Sequence, residues 1–198
     1  MEDKIILVPV DFSEAADNAV HYAGQLASKL NSKILLFHAT TVPGTDPLSP
    51  AYTHNSVGNP DLEFQRAVTD KMKGLQDTLS TEHGRQIIYD YVAEVGNPVS
   101  SLIQTAADQQ AQLIVVGMSK GDGEDSFAVD NLLDIVERAE TPVLVVPVNF
   151  PYKSFKHFVF AIGEGEKNEA ILTKLIAFAK PFEAKITVLH IDDESEDN

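Results

Sequence analysis

The stretch Ile5-Ile6-Leu7-Val8-Pro9-Val10-Asp11-Phe12-Ser13-Glu14 decides the fold. Its first six residues form a short, continuous apolar run rich in β-branched side chains, the pattern of a strand buried on both faces. Asp11-Phe12 leads out of the strand. Ser13 is placed to cap a helix, and Glu14 and Asp17 in its first turn suit the positive end of the helix dipole. Ala16, Ala19, Val20, Ala23, Leu26, Ala27 and Leu30 then recur at helical spacing. Small residues in the first turns predict a helix lying close to its sheet, and Asn31 ends it. Lys33 to Ala39 is a second strand. Strand, helix and strand with short connections make a βαβ unit, which implies parallel pairing and a right-handed crossover.

Working outward, Thr41 to Pro60 carries Pro43, Pro47, Pro50, Gly58 and Pro60 and has no sustained period. It is a long loop of the kind that forms lids or mobile segments. Asp61 to Thr81 reads as a polar helix with Leu62, Val68, Met72, Leu75 and Leu79 inward. Ile87 to Ala93 is a third strand, less hydrophobic and so expected at an edge. Gly96-Asn97-Pro98 supplies a turn, a cap and a first-turn proline. Val99, Leu102, Ile103 and Ala106 face the core in the helix that follows, which ends near Gln110. Leu113 to Val116 is a fourth strand. Ala128, Leu132, Leu133, Val136 and Ala139 stripe a further helix, and Pro142 to Pro147 is a fifth strand bracketed by its prolines. Residues 1–148 thus form an open, five-stranded parallel α/β sheet flanked by helices.

Residues 149–198 hold a linker, Asn149-Phe150-Pro151-Tyr152, and a second strand, helix and strand at His157 to Ile162, Glu166 to Ala179 and Lys185 to Ile191. Lys185-Ile186-Thr187-Val188-Leu189-His190 echoes Lys33-Ile34-Leu35-Leu36-Phe37-His38, as in an internal repeat. The favoured expectation is a truncated tandem protein with a partial second domain. The other is a natural extension that docks onto the first sheet or a partner.

Composition narrows the function classes. The 198 residues suffice for one ordinary domain and part of another. Thirty acids against 15 bases give a net charge of −15, and no basic run offsets it, so neither a nucleic-acid surface nor an anionic membrane is expected as partner. There are no cysteines, which removes disulfides, thiolate catalysis and cysteine-rich zinc sites. No secretion signal follows Met1, and no apolar run nears the roughly 20 residues of a membrane span. The expected location is the cytoplasm.

In open α/β sheets the ligand crevice lies beyond the carboxyl ends of the strands. Asp11, Ala39 at the end of the second strand, and Gly117 to Asn131 all fall there. Asp11 has two readings: acceptor for a ribose hydroxyl or an adenine amino group, or acceptor for backbone amides in the turn. Ser13 reads as a cap, because no local base activates it. His38 reads as a satisfied core histidine. No histidine and carboxylate cluster has the spacing of a zinc site, and the acidic loop lacks that of an EF-hand, so no metal site is expected. Neither a dinucleotide-binding glycine fingerprint nor a P-loop occurs.

Ile6 to Glu14, the alanine-rich helix, the Val115-Val116-Gly117 strand end and Thr141-Pro142-Val143-Leu144-Val145-Val146-Pro147 together resemble the universal stress protein (UspA) family. The resemblance implies a parallel sheet of order 3-2-1-4-5 of the Rossmann-like, adenine nucleotide alpha hydrolase-like type. It implies a homodimer or an intramolecular pseudo-dimer joined through the final strand of the first domain, and a stress-linked regulatory role with an unidentified regulatory protein partner. ATP-binding members resemble one another in Gly-x-x-Gly, about nine residues, then Gly-Ser or Gly-Thr. Here Gly117 matches the first glycine, Lys120 takes the place of the second, and Gly121 is one residue late. The final pair falls on Asp130-Asn131 counted from Gly117 and on Val129-Asp130 counted from Pro142. Carried over to this sequence, nucleotide contacts fall on Asp11, Ala39, Gly117, Met118, Gly121, Gly123, Asp130 and Asn131.

Asp122, Glu124, Asp125, Asp130 and Asp134 are opposed in this segment mainly by Lys120. Two unit charges about 4 Å apart interact by roughly 4 kcal/mol at an effective dielectric of 20. A tenfold loss of affinity takes only about 1.4 kcal/mol. The expectation is therefore a non-enzymatic regulatory or scaffold protein with a degenerate phosphate loop and no cofactor. The alternative is an ATP- or AMP-binding protein, with magnesium and slow ATPase activity.

Overall fold

The computed structural model describes residues 4–40, 60–82, 87–119, 129–162 and 168–190. The chain divides into two units, residues 1–151 and 152–198.

In the first unit β1 (Ile5–Pro9), α1 (Glu14–Leu30), β2 (Lys33–Thr40), α2 (Pro60–Glu82), β3 (Tyr89–Val95), α3 (Pro98–Asp108), β4 (Leu113–Met118), α4 (Val129–Arg138) and β5 (Val143–Pro147) follow one another. The strands form one parallel sheet in the order β3-β2-β1-β4-β5. β1 pairs with β2 on one side and β4 on the other, so the winding reverses at β1. The carboxyl end of β1 is therefore the crevice position.

Alternation divides the strand side chains between two layers. Leu7, Leu35, Phe37, Ile114 and Val116 pack with Val99, Leu102 and Ala106 of α3 and Leu132 and Ile135 of α4. Ile6, Val8, Ile34 and Leu36, all fully buried, take the other face. The apolar stripe of α1 is buried as its spacing predicts, and its alanines let it lie close. Asn31 ends α1 in the left-handed conformation, its N–H bonded to the Ala27 carbonyl. Asn97 caps α3 by accepting from Ser100 N at 3.0 Å.

Three expectations shift. β3 spans Tyr89–Val95 rather than residues 87–93, because its ladder with β2 runs on to Thr40↔Val95. α3 stops at Asp108, with Gln109 as its cap. α4 is turned so that Leu132 and Ile135 face the core, leaving Leu133 and Val136 55% and 50% exposed. Adjacent residues such as Leu132 and Leu133 lie about 100° apart on a helix, and only one of them meets the sheet. Ala128 and the 41–59 loop lie outside the described residues.

In the second unit β6 (His157–Ile162) and β7 (Lys185–His190) pair in parallel, joined by α5 (Asn168–Ala179) and a 3-10 turn at Lys180–Phe182. Its core is aromatic. The Phe155, Phe158, Phe178 and Phe182 rings contact one another with centroids 5.0 to 5.9 Å apart.

Candidate functional site

The site is built where β1 hands over to α1. Val10 N donates to the Phe37 carbonyl at 2.7 Å and extends the β1–β2 ladder past Pro9. The chain then turns sharply, with Phe12 at φ 63, a conformation uncommon for a residue with a side chain. Asp11 holds the turn: its Oδ1 accepts from Ser13 N at 2.9 Å and from Ser13 Oγ at 2.5 Å. Ser13 Oγ in turn accepts from Ala16 N at 3.2 Å and caps α1. Carboxylate, hydroxyl and helix N-terminus thus form one relay. Of the two readings of Asp11, the amide acceptor is seen directly.

β4 closes the cleft from the other side. A Cβ on Gly117 would lie 2.1 Å from the Ala15 carbonyl oxygen and 3.0 Å from Ala16 N. The glycine therefore lets β4 touch the first turn of α1. Between the two walls lies a solvent-open cleft of about 270 Å³, lined by Pro9, Asp11, Ser13, Ala15, Ala16, Val116, Gly117 and Ser119.

On the β2 side, His38 Nδ1 lies 2.6 Å from the Val10 carbonyl oxygen, so this nitrogen donates and the ring is the satisfied histidine expected. The Phe12 ring packs 5.1 Å from the His38 ring, and Lys71 Nζ of α2 stands 5.2 Å from its centroid. A cation beside the crevice entrance is thus held by an aromatic face.

Of the residues expected from the sequence, Asp11 and Gly117 meet in the cleft. Ala39 is partly buried on β2, paired with Glu94 and packed against the core. Met118 ends β4, packs against the same core and accepts from Val148 N at 2.7 Å. Asn131 is half-buried in the first turn of α4. Gly121 and Gly123 lie outside the described residues, as does the Asp130 side chain. Ser119 and Lys71 were not expected. Ser119 was legible as a hydroxyl two residues past the strand-end glycine. Lys71 had no signal, because only the packing of α2 brings it to Phe12.

Among the described residues no group of three or more histidine or acidic side chains is arranged to hold a metal, and no helix is long and apolar enough to cross a membrane.

A family model described as "Universal stress protein family" matches residues 3–147. No curated protein matches the chain. Among solved structures, the universal stress protein UspA from Lactobacillus plantarum is 19% identical with a TM-score of 0.55, the alignment covering 74% of this chain and 99% of that one. A universal stress protein from Archaeoglobus fulgidus DSM 4304, 12% identical, aligns over 99% of this chain and 70% of its own with a TM-score of 0.71. A universal stress protein from Archaeoglobus fulgidus in complex with dAMP is 17% identical with a TM-score of 0.50, covering 73% of this chain and 98% of that one. The expectation of no cofactor is corrected by this last structure, in which a protein of the same fold holds a nucleotide. Beside the acids of residues 117–134, the N-terminus of α1 and the Ser119 hydroxyl bring partial positive charge and a donor to the cleft.

Proposed function

The chain belongs to the universal stress protein family, and on that premise we propose that it is an adenine-nucleotide-binding member with a regulatory role in the stress response. One observation carries the proposal: Asp11, Ser13, Gly117 and Ser119 converge in a cleft against the first turn of α1, at the point where the winding of the sheet reverses. Such a helix end and the Ser119 hydroxyl favour an anion, and the Asp11 carboxylate suits the sugar and the base edge. In this reading Asp11 and Ala39 serve the base and ribose. Gly117, Met118 and Ser119 serve the phosphate together with Gly121, Gly123, Asp130 and Asn131, and magnesium offsets the acids of that segment. The scaffold reading, which expected little ATP binding and no cofactor, gives way to this one.

The proposed role is binding without turnover. Ser13 Oγ is committed to Asp11 and to the helix cap, which leaves no activated nucleophile in the cleft. The same reading places the protein in the cytoplasm, pairs copies through β5, and takes the second unit as the opening of a second stress-protein-like domain. The matching β1-α1-β2 and β6-α5-β7 connectivity supports that last element.

Thermal melts with AMP, cyclic AMP and MgATP, against their guanine counterparts, test the nucleotide proposal. A ligand at 100 times its Kd stabilises the folded state by about 2.7 kcal/mol. Adenine nucleotides are expected to raise Tm and guanine nucleotides to leave it nearly unchanged. No shift with any adenine nucleotide would contradict the proposal.

A further inference from the structure

The two walls of the cleft also hold the chain where it leaves β5. Gly117 and Ser119 line the cleft, and Met118 between them turns its carbonyl to the residue that follows β5, accepting from Val148 N at 2.7 Å. Ala15 and Ala16 of α1 form the opposite wall. Less than a turn further along α1, Asn18 Nδ2 donates to the Pro147 carbonyl at 3.0 Å and to the Phe150 carbonyl at 3.3 Å. Pro147 to Phe150 closes into a turn of its own. Phe150 N donates to the Pro147 carbonyl at 3.1 Å, and Asn149 takes φ 63, a left-handed conformation that asparagine tolerates better than most residues. From Val148 to Lys156 the chain has neither helix nor strand.

We propose that nucleotide in the cleft tightens this linker root and that the Asn18 side chain couples the two. The inference rests on the nucleotide reading of the cleft. A ligand that draws on the N-terminus of α1 and on Gly117 and Ser119 restrains α1 and β4 against each other. Asn18 and Met118 grip Pro147, Val148 and Phe150 from those same two elements. The root opens by releasing one wall or the other, and a ligand that bridges the walls makes either release rarer. Coupling of this kind needs no displaced element, because order gained at one site is shared by what is bonded to it. By reciprocity, a held root favours bound nucleotide by the same factor. The device regulates how firmly the chain leading into the second unit is held.

Amide hydrogen exchange of the full chain, followed by NMR with and without AMP and MgATP, tests this beside calorimetry of the same samples. Nucleotide is expected to slow exchange at Val148 and Phe150 by about fivefold or more, the lower end of ordinary coupling. Exchange at Gln109, the cap of α3, is expected to stay unchanged. Asn18→Ala removes the donor without adding charge, at a position outside the cleft lining. This variant is expected to give saturable heat with nucleotide and to lose the slowing at Phe150. As a second readout, trypsin should cut after the exposed Lys153 more slowly when nucleotide is added to the wild type, and at an unchanged rate in Asn18→Ala. Bound nucleotide without slowing at Val148 and Phe150, or equal slowing in Asn18→Ala, would overturn the inference and leave the nucleotide reading standing. Calorimetry without binding heat for either nucleotide would overturn that reading and this inference with it.

Discussion

Gly117 shows how one residue serves fold and site together. It lines the cleft, but the atoms it must avoid belong to the backbone of Ala15 and Ala16, which no side-chain rotation relieves. Gly117→Ala is expected to lower stability by at least about 2 kcal/mol, within the range of overpacking, and to lower Tm with or without nucleotide. An unchanged Tm would mean that α1 shifts away at little cost. Tyr89 carries a second residue-scale consequence. Burial first, and the nearby Glu82 carboxylate second, push its phenol from 10.0 up to about 12. The fold thus favours the neutral phenol. The associated stability is fully present below pH 10 and is lost as pH rises through about 12. Ultraviolet titration of the tyrosinates should show a late phase that Tyr89→Phe removes.

At the scale of the element, α1 depends on a cap that itself depends on Asp11. Asp11→Ala removes the acceptor for both Ser13 N and Ser13 Oγ and is expected to cost about 1–2 kcal/mol. Circular dichroism melts of ligand-free protein check this, and destabilisation confined to nucleotide-bound protein would assign Asp11 to the ligand alone. The elements were legible because their signals are local. The β1 run, the Ser13 and Asn97 caps, Asn31 and the prolines around β5 all act within a few residues. The facing of α4 was not legible. Leu132, Leu133, Ile135 and Val136 offer two overlapping apolar stripes, and only contact with Leu7, Ile114 and Val116 chooses between them.

For the whole molecule, the open parallel α/β sheet and its crevice end followed from alternating strands and helices, whereas the order 3-2-1-4-5 came only with the family resemblance carried by the ends of β1, β4 and β5. The lining of the cleft was harder to read, because it is assembled across distance. Asp11 and Ser119 are more than a hundred residues apart in sequence, and no local pattern reports that they line one cleft. Net charge was equally uninformative, since a value of −15 sums over the surface while affinity is set by the few groups lining a cleft. The central claim is that this cleft takes an adenine nucleotide. Isothermal titration calorimetry of the full chain at high micromolar concentration, with AMP and with MgATP, tests it most directly. The account predicts saturable heat at one nucleotide per chain for at least one of the two. Dilution heat alone for both would contradict it.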